Sequence, residues 1–320
     1  MNLDAKNLIT ISSQYGVEKE PILEQLKSYY SSLGIKTKLL SLEDFSINGI
    51  DPASIDNFIL SKLEESLGQK NFPSESGPII IVDAPTAFTL SPDALNIQLT
   101  ACPQYMATHK TDSQYPNMSE EEIIASIQEH RKSINSQYHI NVDNPDNYDE
   151  IIETDGVKHE QIVSLIHRCQ NAKSTGKGIP QFWCHPGKFL PTQDVRQSEK
   201  PTFYDIMHNI EENGYAFNAP VEAVIVDGYY YVTDGHNRVG AACDAKCDLI
   251  AYDLIAKDDE KSPIISNSSA SDYVKSNVGR CGSSSYHYYD HTWWKFDKFY
   301  DMRKWTEMMN RQKGKIDTVR

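Results

Sequence analysis

Hydrophobic and polar positions alternate along this chain in two successive programmes. In the first, Asn7–Ser13 and Pro78–Pro85 are nearly unbroken β-branched runs, the kind of strand that a parallel sheet buries on both faces. Between them, Glu20–Leu33 places Ile22, Leu23, Leu26, Tyr29, Tyr30 and Leu33 at helical spacing, and Thr37–Leu42 predicts a second strand. Ser119 caps a helix running to about Arg131 with acids in its first turn; Glu150–Thr154 predicts a last strand and His159–Cys169 a closing helix. The second programme opens with Phe203, Ile206, Met207 and Ile210 at helical spacing, a helix that Asn213-Gly214 ends. Pro220–Val232 then reads as two strands joined by an Asp227-Gly228 hairpin turn, followed by a small-residue helix over Asn237–Lys246 and a strand over Cys247–Leu254.

The chemistry concentrates where the second hairpin strand runs into its helix, at Thr233-Asp234-Gly235-His236-Asn237-Arg238. A strand that ends on Gly and restarts as a helix aims free N–H groups and the positive end of a dipole at one place, which suits a phosphate; Arg238 adds a charged fork. Taken alone, the same residues also fit an ordinary connection with an Asp cap and a solvated Arg. The order of helix, hairpin, turn, helix and strand over Leu190–Leu254 resembles the ParB/sulfiredoxin-like superfamily, chiefly through Asp234-Gly235-His236-Asn237-Arg238. The resemblance implies that Thr233 to Arg238 contact nucleotide phosphates. Sulfiredoxin carries a Cys in this turn, and here none lies between Cys184 and Cys243, so reduction of a sulfinic acid is not expected. Free-serine kinases are more similar, with Asp-Gly-His-x-Arg at the turn and a Pro-Thr-Glu segment whose Glu is the base. Here the matching segment is Pro191-Thr192-Gln193-Asp194, so either Asp194 takes the role from one residue further on, or the base lies elsewhere, or the domain binds nucleotide without transferring phosphate; His236 is the other candidate base.

The first half resembles a nucleoside-monophosphate or cytidylate kinase of the P-loop class. Between its first strand and helix lies Ser13-Gln14-Tyr15-Gly16-Val17-Glu18-Lys19-Glu20, where only Gly16 and Lys19 survive in register. Glu18 stands where Gly would let backbone approach phosphate, and Glu20 replaces the hydroxyl expected on Mg²⁺. The stretch Thr108–Ser113 lacks the Arg of an active lid, so the expected domain is an inactive relative.

A length of 320 residues exceeds one typical domain of roughly 100–200 residues. The expected organisation is α/β: a degenerate P-loop-kinase-like parallel sheet over 1–170, a polar linker over 171–180, and a smaller α+β ParB/sulfiredoxin-like domain with an aromatic extension over 181–320. Lys257–Ser271, rich in Ser, Asp and Lys, reads as a mobile loop. With 31 basic and 45 acidic residues the formal charge is −14, which argues against nucleic acid as a partner. The basic and aromatic tail is read as a terminal helix that docks through Trp293, Trp294 and Trp305 onto the second domain, bringing His287 or His291 toward the turn. No apolar run spans a bilayer and the six cysteines form no CxxC pair, so a soluble, cytoplasmic protein with reduced thiols is expected. In the loop entering the second domain, His185 and Lys188 are candidates to close over a ligand. Together these observations predict an ATP- or ADP-dependent phosphotransferase acting on a small hydroxylated molecule. Catalysis falls to Asp194, His236 and Arg238, and Mg²⁺ to Asp234. The rival expectation is a non-catalytic nucleotide-binding regulator or DNA-transaction accessory protein.

Overall fold

A computed structural model describes residues 7–41, 78–109, 118–138, 141–190, 192, 201–278, 285–289 and 292–296. It is mixed α/β with mostly parallel strand pairing, and the chain divides into two compact units, Met1–Thr154 with Lys158–Ile179 and Asp155–Val157 with Pro180–Arg320.

In the first unit the described strands are β1 (Leu8–Ser13), β2 (Thr37–Ser41), β3 (Ile79–Asp83), β4 (Leu95–Thr100) and β5 (Glu150–Glu153). They pair in the order β2-β3-β1-β4-β5, every neighbour parallel. β1 and β3 are buried along almost their whole length, as their unbroken apolar runs require. The helices are α1 (Glu20–Ser32), α2 (Pro103–His109), α3 (Glu120–Tyr138) and α4 (His159–Ser174). Ser119 and Glu122 close a reciprocal capping box at the start of α3, Ser119 N donating to Glu122 Oε2 (2.7 Å) and Glu122 N to Ser119 Oγ (3.3 Å).

Three sequence expectations need correction here. β4 went unrecognised: Leu95, Ile97 and Leu99 alternate with polar residues, but Asn96 and Gln98 are also buried, hydrogen-bonding to Thr10 and to the Val142 carbonyl. Polar side chains satisfied inside a sheet hide a central strand from a reading based on apolarity. α3 runs past Arg131 to Tyr138. The expected linker begins inside α4, which continues to Ser174 because Lys173 reaches back to Asp149 and the Ala94 carbonyl.

In the second unit, β6 (Phe182–Cys184), β7 (Phe189–Leu190), β8 (Val221–Val226), β9 (Tyr229–Asp234) and β10 (Ile250–Lys257) pair in the order β6-β10-β8-β9-β7. β8 and β9 form the expected hairpin, its Asp227 and Gly228 both at positive φ (51° and 81°), as a tight hairpin turn demands. The helices are α5 (Pro201–Asn213), stopped by Gly214 at φ 71°, α6 (His236–Asp244) and α7 (Ala270–Val278). Lys257–Ser271 is a built segment: β11 (Lys261–Ser262), a 3₁₀ turn and β12 (Ser268–Ser269) lead into α7. Ile265 anchors it in an apolar cluster with Leu190, Val224, Tyr231 and Val274, so one buried side chain outweighs a polar composition. The last described strands, β13 (Ser285–Tyr289) and β14 (Thr292–Phe296), are an antiparallel hairpin rather than a helix.

Candidate functional site

The turn between β9 and α6 is built by geometry that only glycine accepts comfortably. Gly235 has φ 97°, and a Cβ there would sit 3.0 Å from Arg238 Nε and Nη2. Its carbonyl accepts from Arg238 N (2.8 Å) and Val239 N (3.0 Å), starting the helix at once. The amides of His236 and Asn237 therefore head α6, where backbone N–H groups lack intrahelical acceptors. Just before the turn the β8–β9 register shifts, and Thr233 Oγ1 is buried there without a hydrogen bond.

Arg238 folds back over the glycine. Nη1 donates to the Pro220 carbonyl (2.6 Å) and Nη2 to Asp234 Oδ2 (2.5 Å). The Asp234 side chain is 68% exposed and Arg238 23% exposed, so the pair lies at the surface. Register places two more acids nearby: Glu222 pairs with Asp234, and Asp253 with Glu222. Burial raises the Asp253 carboxyl above its ordinary range, with the Arg238 charge opposing the shift.

His236 is buried, and its Nε2 accepts from Thr192 N (3.2 Å), while Thr192 Oγ1 donates to the Val232 carbonyl (2.6 Å). Burial pulls the imidazole down to about 4, Asp234 partly opposing. With its lone pair occupied and its basicity reduced, His236 positions the Thr192 segment and is a poor proton acceptor at neutral pH.

Thus Thr233, Asp234, Gly235, His236, Asn237 and Arg238 come together in one turn, with Thr192 beside them; Asp194 lies outside the described residues. His185 and Lys188 do not close over this site. His185 Nδ1 accepts from Gly187 N (3.0 Å), and Lys188 Nζ is buried against Asp155 Oδ2 at 2.7 Å. β13 runs beside α6 and β7, with His287 opposite Trp294 in its hairpin; His291 lies outside the described residues. The bond from Arg238 to the Pro220 carbonyl and the Asp253 carboxyl within reach of its charge were missed in the sequence, since only the folded sheet brings them to the turn.

The corresponding turn in the first unit, Ser13–Lys19, is closed differently. Lys19 Nζ pairs with Asp83 Oδ2 at 2.9 Å, and Ser41 Oγ donates to the same oxygen at 2.9 Å. Asp83 is buried at the end of β3.

No family model and no curated protein matches the chain. Among solved structures it is similar to an uncharacterized protein from Eubacterium ventriosum ATCC 27560, with 14% identity over 52% of this chain and 98% of that one and a TM-score of 0.39. A likeness at that level carries no functional argument.

Proposed function

We propose that the second unit is a ParB/sulfiredoxin-like, nucleotide-binding domain acting as an ATP- or ADP-dependent phosphotransferase on a small hydroxylated molecule. In the same reading the first unit is a P-loop-kinase-like sheet whose own phosphate loop is disabled. The observation that supports this is the meeting of two segments far apart in sequence: the Thr192 amide donates to His236 inside the Asp234–Arg238 turn.

In this reading the head of α6 and the Arg238 guanidinium bind the phosphates. Electrostatic positioning of this kind is most of what a protein contributes to phosphoryl transfer. An incoming phosphate competes with Asp234 for Arg238, and the exposed carboxylate swings aside at small cost. Asp234 is then suited to Mg²⁺ carried by the nucleotide, since Mg²⁺ is commonly held by one or two carboxylates together with substrate phosphates. The metal's contribution when bound is neutralisation of phosphate charge. His236 holds Thr192 against the turn, and Asp194, two residues further along, is the remaining candidate base.

The test is a thermal-shift screen of the full chain with ATP, ADP and CTP, with and without Mg²⁺, because a ligand that binds only the folded state raises apparent stability. One adenine nucleotide should raise the melting temperature, and a phosphorylated product should follow from a hydroxylated acceptor. Asp194→Asn should then lower turnover by about 10²–10⁴ with binding retained. No shift with any nucleotide would remove the proposal. A shift without product would favour the regulator, a reading already favoured by the occupied His236 lone pair and by Gln193 where Glu is expected.

A further inference from the structure

One buried pair of charges belongs to neither turn. Lys188 Nζ lies 2.7 Å from Asp155 Oδ2, with the two side chains 1% and 0% exposed. Both residues fall in the second unit, although Asp155 follows β5 in the chain. Two charges taken out of water lose hydration that roughly offsets their attraction, so such a pair adds little net stability; its best-attested use is to select one register among several.

Register is what the neighbouring strand otherwise lacks. Lys188 ends a 3₁₀ turn over Pro186–Lys188 and leads straight into β7, a strand of two residues that pairs with β9 at the end of the strand order. Phe189 packs against the rings of Tyr230 and Tyr252 (5.8 and 5.7 Å between centroids), while Leu190 joins the cluster of Val224, Tyr231 and Ile265. Each face of β7 thus receives one apolar residue, and a slip by one position would leave both faces apolar, so hydrophobicity alone holds the register weakly. The turn depends on that register. Thr192 donates its N–H to His236 Nε2 (3.2 Å) and its hydroxyl to the Val232 carbonyl (2.6 Å). A slip would bring Pro191 or Gln193 to this place; neither carries the hydroxyl, and Pro191 has no N–H to give.

We propose that the buried Asp155–Lys188 ion pair positions the β9–α6 turn: it fixes the register of β7 and so sets Thr192 against His236. A slip of one residue moves Lys188 by about 3.3 Å and would separate two charges that water does not reach. Lys188 and Asp155 are positioning residues, acting on the turn through Thr192 and His236. Their effect on nucleotide binding rests on the function proposed for the turn; their effect on His236 does not.

The test uses the full chain carrying both Asp155→Asn and Lys188→Met, which removes the two charges together and keeps both side chains near their size, a kind of change that buried ion pairs commonly tolerate. Histidine-labelled protein is titrated by NMR, with the His236 signal identified by its loss in His236→Gln. In the unaltered chain the imidazole takes its proton near pH 4. In the double variant the midpoint should rise by about one unit or more toward 6.5, because release of Thr192 opens His236 to water. A pair that only supported the fold would lower the melting temperature and leave the midpoint where it was. Affinity for ATP or ADP, measured by calorimetry, should fall about tenfold in the same variant. An unmoved His236 midpoint in the folded double variant overturns the proposal, and so does an unchanged affinity where the unaltered chain binds nucleotide. If the unaltered chain binds none, the function proposed for the turn falls and the His236 midpoint alone decides the positioning role. Should the double variant fail to fold, native-state hydrogen exchange of the unaltered chain decides instead: the Thr192 amide should exchange within about tenfold of the slowest amide of β7, and faster exchange overturns the proposal.

Discussion

Two strand-to-helix turns in this chain end in a cation, and they differ in where the counter-charge sits. In Ser13–Lys19 the lysine is held by Asp83, whose side chain is 2% exposed and which also accepts from Ser41. In Asp234–Arg238 the arginine is held by a carboxylate 68% exposed. Breaking a buried pair costs about 3–5 kcal/mol, because one charge is left uncompensated; breaking a surface pair costs about 0–1 kcal/mol. A phosphate arriving at the first turn would have to displace an anion already fixed in the sheet. At the second it would displace one that water takes up readily. Similar sequence signals therefore mark one turn whose cation is held by a buried anion and one whose cation is held by an exposed anion.

The largest test of this contrast is the pair Arg238→Ala and Lys19→Ala. Loss of the guanidinium should weaken nucleotide binding by about 10²-fold, as expected for charge-assisted bonds, while the lysine variant should change it less than about twofold. Calorimetry showing the reverse would exchange the roles of the two units.

A pH experiment probes the second turn alone. The folded pKa of His236 is near 4, below the ordinary imidazole value of about 6.5, so between those pH values the unfolded chain binds the extra proton. Its stabilising contribution is complete above about pH 6.5 and is lost as pH falls toward 4, amounting to about 3 kcal/mol. Urea unfolding should show this loss. In His236→Gln, which keeps an acceptor for the Thr192 amide and cannot titrate, that part of the acid dependence should vanish. An identical pH profile in the variant would mean that the imidazole is not buried as described.

Stability measurements then address the pairs directly. Asp83→Ala should destabilise the protein by about 2 kcal/mol, somewhat below a fully buried pair because Lys19 retains 17% exposure. Asp234→Ala should cost less than about 1 kcal/mol. Equal costs would erase the distinction between the turns.

A final test lies at Gly235. Alanine there must adopt φ 97° and meets the Arg238 side chain at 3.0 Å, so a loss of about 1–2 kcal/mol is expected, along with weaker nucleotide binding as the guanidinium is pushed aside. Unchanged stability would show that the turn relaxes to a conformation open to other residues.

Local rules made much of this molecule legible from its residues. The buried apolar runs of β1 and β3, the Asp227-Gly228 hairpin, the Gly214 stop after α5 and the Gly235 turn were all readable, because each depends on neighbours within a few positions and on backbone preferences that side chains carry with them. Features held by distant partners were not. β4 was hidden because its buried Asn96 and Gln98 are satisfied by Thr10 and Val142, far away in the chain. Lys257–Ser271 looked polar and loose, yet Ile265 finds its place only once β8, β9 and α7 have assembled a cluster around it. His236 looked like a base until the Thr192 amide took its lone pair, and Lys19 looked like a vestigial phosphate ligand until Asp83 was found beside it. The sequence determined which turns would form and which charges they would carry. Only the tertiary structure decided which charges were already neutralised, because burial and the long-range partner set the cost of releasing each one.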